Sequence, residues 1–172
     1  MEELLKIIST SNVPAHKELL RKCYIEARKS PHPSTHNAAL IVDGSNILIV
    51  GINTLPQGIK MKDYMLKGEN KHIFFNHAEQ DAVYKAAKLG TKTEGKTMVM
   101  PWLPCIRCTN AIISAGIRKL ITHKQMIERT DNKWKYELRE GLKLLSEAGV
   151  SIVSYDGKVG ERAYMHGEEW EA

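Results

Sequence analysis

Long apolar runs are missing from this sequence. No stretch approaches the roughly 18 apolar residues that a membrane span requires, so a membrane protein of the helical kind is not expected. Aromatic residues are scarce, at 6 % of the chain, which argues against a surface that grips single-stranded nucleic acid through rows of stacking rings. Cysteine is limited to Cys23, Cys105 and Cys108. An odd count, with no export-type leader, excludes a disulfide framework as the organising device. The first residues, "MEELLKIIST", carry acid where a signal peptide carries positive charge, so a cytoplasmic location is expected. Repeats, low-complexity segments and linkers are also lacking.

What is present is the balance of an ordinary globular chain: 172 residues, 42 % apolar and 26 % charged. That length suits one well-buried core, and residues 1–172 are read as a single domain with its core at about 15–155 and a C-terminal extension at 156–172. The net charge is +5, with Lys and Arg scattered rather than blocked. Such an excess suits a phosphate-bearing ligand without requiring one.

Apolar positions at helical spacing predict a helix from about Ala15 to Lys29, stopped by the prolines of "SPHPSTH". "NAALIVD" and "NILIVG" are two short apolar runs joined by Asp43-Gly44, a hairpin signal. A loop of some two dozen residues follows, a length that in a compact domain is usually functional. Helical patterns then run from His77 to Leu89, in "CTNAIISAGI", and from Trp134 to Ala148. They alternate with the strand candidates "KTMVM", "KLIT" and "VSIVSY". This order predicts an α/β fold, a three-layer α/β/α arrangement with helices on both faces of a central mixed sheet of five strands.

Two motifs carry chemistry. "HAE" places His77 and Glu79 at one helix start, and "PCIRC" places Cys105 and Cys108 at another. Alone, each has an ordinary reading: a histidine and an acid near a helix N-terminus serve as cap and solvated charge, and C-x-x-C serves as a redox pair or half a zinc knuckle. Jointly, one His and two Cys make a three-ligand zinc site with an open fourth position, the mark of a catalytic centre. Zinc lowers the pKa of a coordinated water to about 7, and helix N-termini favour thiolates. Glu79 is then placed to accept the proton and pass it to a leaving group. H-x-E with P-C-x-x-C is the pattern used by zinc deaminases of cytosine and adenine.

At these residues the chain resembles the cytidine deaminase-like superfamily, and within it the deoxycytidylate deaminases. "GINTLPQG" is similar to a G-Y-N-G-x-P-x-G loop, "HAEQDAVY" to an H-A-E-x-N-A-I helix start, and "LPCIRCTNAIISAGI" to an F-P-C-x-x-C-A-x-x-I-I-x-A-G-I segment. The chain departs from those patterns at Ile52, Thr54 and Asp81, and has Ser34 where many members carry Asn near the sugar. The resemblance implies zinc on His77, Cys105 and Cys108, with proton transfer by Glu79 to N3 of the pyrimidine and to departing ammonia. It implies nucleotide contact at Asn53, Ser34 and the backbone near Ala78. His36 is a candidate for the pocket mouth, Trp102 for stacking on a base, and Arg107, Lys60 and Lys62 for phosphate. It further implies conversion of dCMP to dUMP, a small nucleotide as the partner rather than nucleic acid, and a homo-oligomer, a dimer or hexamer.

Two rivals follow from the residues. "PWLPC" is similar to the S-W-x-P-C of single-strand cytosine deaminases, although aromatics are few. A non-catalytic zinc or nucleotide-binding module is the other, and it has no use for Glu79.

Overall fold

The computed structural model describes residues 7–172. It opens with strand β1 (Ile8–Ser11) and helix α1 (Pro14–Ala27). Proline occupies the first turn of α1, where its missing N–H costs no helical hydrogen bond. Leu19, Leu20, Cys23, Tyr24 and Ala27 form its buried stripe. A two-residue strand, β2 (Thr35–His36), leads into β3 (Ala38–Asp43) and β4 (Asn46–Ile52). Gly44 makes the intervening turn with φ of 60°, a conformation that costs glycine little, and Asp43 pairs with Asn46 across it.

The long loop is closed by backbone pairing at both ends. Thr54 donates its N–H to the carbonyl of Asn76 at 3.2 Å, and Asn76 returns the bond at 2.8 Å. Inside lie a 3-10 turn (Asp63–Leu66) and helix α2 (Asn70–Phe74), packed on a small cluster of Leu55, Met65 and Phe75. Then come α3 (Ala78–Leu89), β5 (Thr97–Val99), α4 (Ile106–Ser114), β6 (Lys119–His123) and α5 (Lys124–Glu128). A 3-10 turn (Asn132–Trp134), α6 (Lys135–Glu147), β7 (Ser151–Tyr155), β8 (Arg162–Met165) and β9 (Glu168–Glu171) complete the order. Gly90 ends α3 in the left-handed conformation with φ of 66°.

The main sheet runs β1-β7-β6-β5-β3-β4. Its β1, β7, β6 and β5 are mutually parallel, and β3 and β4 add antiparallel neighbours. Alternation along the strands sorts the core to two faces. Ile41, Met98 and Leu120 pack with α3, α4 and α6 through Ala82, Ile112, Leu138 and Leu142. Leu40, Val99 and Ile121 pack with α1 through Leu20, Cys23 and Tyr24. The expected α/β/α layering is therefore present, with one correction: the sheet has six strands rather than five. The sixth is β1, four residues with little apolar character that pair with the edge of β7. The segment expected as an extension folds back as β8 and β9, which join β2 in a second, three-stranded sheet.

Two details fix how α3 meets the sheet. A Cβ built on Gly51 would lie 2.1 Å from the carbonyl oxygen of Ala78 and 2.4 Å from the nitrogen of Ala82, so β4 touches the first turn of α3 backbone to backbone. Asp81 accepts the N–H of Ile52 at 2.9 Å and pairs with Lys85 at 2.7 Å, holding the end of β4. No helix among the described residues is long and apolar enough to cross a membrane.

Candidate active site

His77 is the N-cap of α3, Cys105 is the N-cap of α4, and Cys108 lies one turn further on. The two helix starts face each other, so the imidazole and both thiols converge. His77 Nδ1 lies 3.5 Å from the sulfur of Cys105 and 3.5 Å from that of Cys108. All three ligand atoms fall within 4.8 Å of one another. Tetrahedral zinc, with bonds of about 2.0–2.1 Å to nitrogen and about 2.3 Å to sulfur, sets its nitrogen and sulfur ligands roughly 3.5 Å apart. The donor set and its spacing fit that ion.

The electrostatics follow from burial and proximity. The two thiols behave as a pair: a hydrogen bond from Cys108, helped by His77, draws Cys105 down to about 4 against the cost of burial. Cys108, beside the Cys105 sulfur and buried, holds its proton well above the usual thiol range. Burial pulls His77 down, but its bond to Cys105 and the charge of Glu79 outweigh this, and its pKa lies above the ordinary value. Glu79 is fully enclosed, and burial raises its pKa against the opposing charge of His77. One carboxylate oxygen, Oε2, has no hydrogen-bond partner.

A cavity of about 200 Å³ opens onto His77, Glu79 and Cys105. Ser34, Asn53 and Trp102 line it too. Asn53 Oδ1 accepts the N–H of Ala78 at 2.9 Å, and its Nδ2 donates to the carbonyl of Thr35 at 3.2 Å, leaving one N–H for a ligand. Trp102 is held by a hydrogen bond from Nε1 to Thr130 Oγ1 at 2.7 Å.

Other candidates sit elsewhere. Ala78 is buried with its N–H taken by Asn53, and it serves the site through that bond rather than by facing the cavity. His36 follows Thr35 in β2, so alternation turns it to the opposite face, where its ring lies 4.6 Å from that of Tyr164 beside Arg28. Arg107 is two residues from Cys105 on α4, and this rotation points it away, into the groove between α3 and α4 with Gln80 and Tyr84. Lys60 and Lys62 are exposed in the long loop and do not line the cavity.

The cavity instead recruits residues that no local motif announces. Lys71 and His72 come from α2, Lys133 and Trp134 from the 3-10 turn before α6, and His166 from the β8–β9 turn. His72 meets Trp134 edge to face at 5.9 Å, and His166 meets Trp102 likewise at 5.8 Å. His166 has φ of 57°, uncommon for a residue with a side chain, in a turn with Gly167. Among the described residues neither Lys71 nor Lys133 has an acidic partner, and Glu79 is the one acid lining the cavity. His32, with Nδ1 accepting the N–H groups of Ser34 and Thr35, completes the wall. Burial, with the neighbouring His72, lowers its pKa to about 4.

His77, Cys105 and Cys108 could thus hold a metal ion, with the buried carboxylate of Glu79 beside them. Residues 14–124 match the cytidine and deoxycytidylate deaminase zinc-binding region. The chain belongs to that family and is a deaminase. Human deoxycytidylate deaminase is 30 % identical over 136 residues, covering 75 % of this chain and 72 % of that one. A deaminase of the luxG 3′ region of Aliivibrio fischeri is 29 % identical over 123 residues, covering 72 % of this chain and 81 % of the other. In fold, the chain is similar to the dCMP deaminase of cyanophage S-TIM5, with a TM-score of 0.64 at 24 % identity, covering 84 % of this chain and 99 % of that one. A structure of that enzyme in complex with dCMP and dUMP is also known, and it has the same TM-score to this chain.

Proposed function

We propose that this enzyme hydrolyses the 4-amino group of a cytosine mononucleotide, converting dCMP and water to dUMP and ammonia. The observation that carries this reading is the polarity of the cavity. At its floor are His77, Cys105 and the buried Glu79, with Cys108 beside Cys105, and its other lining residues include Lys71 and Lys133, which have no acidic partner among the described residues. A base at the floor leaves the 5′-phosphate to the lysines, whose charge favours a nucleotide over a nucleoside. The deoxycytidylate deaminases among its relatives support the same substrate.

His77, Cys105 and Cys108 are the residues that would hold zinc. Zinc, when bound there, supplies the Lewis acidity that brings the pKa of a water molecule to about 7. Glu79 takes one proton from the attacking water and gives it to N3 of the pyrimidine, then takes the second from the hydroxyl added at C4 and gives it to the amine, which leaves as ammonia while C4 becomes the carbonyl carbon of dUMP. Its burial keeps bulk water from competing for these protons. Asn53 fixes the start of α3 through Ala78 and so keeps Glu79 in register with the ligand triad. Trp102 lines the cavity with a ring face that can flank the base.

Ammonia release tests the reading directly. The panel is dCMP, CMP, deoxycytidine, cytidine and a cytosine-containing single strand, with zinc-supplemented protein and Glu79→Ala as control. Preferential turnover of dCMP is expected; preference for the single strand or for the nucleosides overturns it. We also infer self-association, supported by Tyr84 and Leu89, which stand exposed on α3. A monomeric mass by light scattering contradicts that inference.

A further inference from the structure

Thr130 and Asp131, adjacent in the connection from α5 to α6, reach two neighbours in the cavity wall. Thr130 Oγ1 accepts the indole N–H of Trp102 at 2.7 Å, and Oδ2 of Asp131 lies 3.4 Å from Nε2 of His166. The two rings held in this way meet each other, with 5.8 Å between centroids and their planes at 87°, and both line the cavity. The turn that presents His166 is anchored on its own account. The N–H of Gly167 donates to the carbonyl of Ser34 at 3.0 Å, and that of His166 to Thr35 Oγ1 at 3.4 Å. This turn keeps an imidazole at φ of 57°, where glycine would sit at less cost, and a backbone of that kind persists where its surroundings fix it. Thr130, Asp131 and His166 all lie beyond residues 14–124, so they come from a part of the chain other than the zinc-binding region.

We propose that His166 is a positioning residue for the deamination: with Asp131 and Thr130 it clasps the Trp102 ring in the cavity wall, where that ring flanks the pyrimidine. The assignment rests on the reading of Trp102 given above. A ring pinned at its N–H and packed against a second ring loses little freedom when substrate arrives, so the clasp acts as pre-organisation and strengthens binding. It serves the base and not the phosphate. Nucleotide and nucleoside therefore gain from it alike.

The test is a double-mutant cycle on His166→Asn and Trp102→Leu, read as kcat and KM for dCMP and for deoxycytidine with zinc-supplemented enzyme. Asparagine tolerates the left-handed backbone, so His166→Asn removes the ring and keeps the turn. It is expected to raise KM about fivefold on both substrates, in keeping with the worth of an aromatic pair, while kcat stays within about twofold of wild type. In the Trp102→Leu background the same substitution is expected to change KM by less than about twofold, because the ring it positions is gone. Asp131→Ala gives a second cycle: added to His166→Asn, it is also expected to change KM by less than about twofold. Additive losses in either cycle overturn the proposal, as does a KM for His166→Asn within about twofold of wild type. A KM rise confined to dCMP makes His166 a phosphate contact and overturns it too, and a fall in kcat alone does the same. Wild-type enzyme that prefers deoxycytidine removes the mononucleotide reading, while the cycles on deoxycytidine still decide this inference. Enzyme that acts on neither substrate removes both.

Discussion

The floor and the rim of the cavity are built in opposite ways. The floor is local: His77 and Glu79 lie two residues apart on one helix start, and Cys105 and Cys108 lie one turn apart on another. Each group inherits its direction from a regular helix that is packed against the sheet on the Ala82 and Ile112 side. The rim is assembled at a distance. Lys71 comes from a five-residue helix inside a loop, Lys133 from a 3-10 turn, and His166 from a hairpin near the C-terminus. On the proposed function, the floor holds the atoms of the reaction in one geometry, which chemistry of this type demands. The rim would then meet what differs among substrates, and short irregular segments are where such differences are cheaply made.

The sharpest way to break this comparison is at the floor. Glu79→Gln is expected to lower kcat/KM by about 10³-fold, within the range of a lost general acid–base group, while bound zinc stays at wild-type stoichiometry by elemental analysis. Retained turnover would take the proton-transfer role from Glu79. Cys108→Ser is expected to lose stoichiometric zinc and to melt near the temperature of chelator-treated wild type, because metal binding is coupled to folding. Full metal content in that variant would mean that the ligand set is wrong.

The wall between floor and rim gives a smaller effect, with a definite sign. His32 titrates near 4 in the folded protein against about 6.5 when unfolded. Between those values the unfolded chain binds the extra proton, so the stability contributed by neutral His32 is present above about 6.5 and is lost as pH falls toward 4. The ceiling is about 3 kcal/mol at 1.36 kcal/mol per unit, and solvent near the cavity reduces it. His32→Asn keeps an acceptor for the N–H groups of Ser34 and Thr35 but does not titrate. Its melting temperature is expected to fall less steeply than that of wild type between pH 7 and pH 5, and parallel slopes would exclude His32 as a source of acid lability. The smallest effect belongs to Arg107, which faces another groove: Arg107→Ala is expected to stay within about twofold of wild type in kcat/KM. A tenfold loss there would show that the rim extends across α4.

The same contrast explains what was legible before the structure. Periodicity and punctuation disclose α1, the β3–β4 hairpin and α3, because the prolines of "SPHPSTH", Gly44 and Gly90 mark their ends by backbone chemistry. The floor is legible because its spacing is chemical. Strand β1 is not, since ISTS has no alternation of its own and is ordered by parallel pairing with β7. The β8–β9 hairpin carries its turn in His166-Gly167, a weaker signal than Asn-Gly or Asp-Gly. Arg107 looks like a phosphate ligand because it stands inside the cysteine motif, and the helical rotation that faces Cys105 and Cys108 inward is what turns it out.

The division of labour between floor and rim is tested most directly by kcat/KM for dCMP and for deoxycytidine in wild type and in the Lys71→Ala, Lys133→Ala double variant. The account predicts a dCMP-to-deoxycytidine preference that falls by about tenfold or more in the double variant, with the loss shrinking as salt screens the lysines. A preference that survives the loss of both lysines would contradict it, and the phosphate would then have to be read elsewhere in the protein.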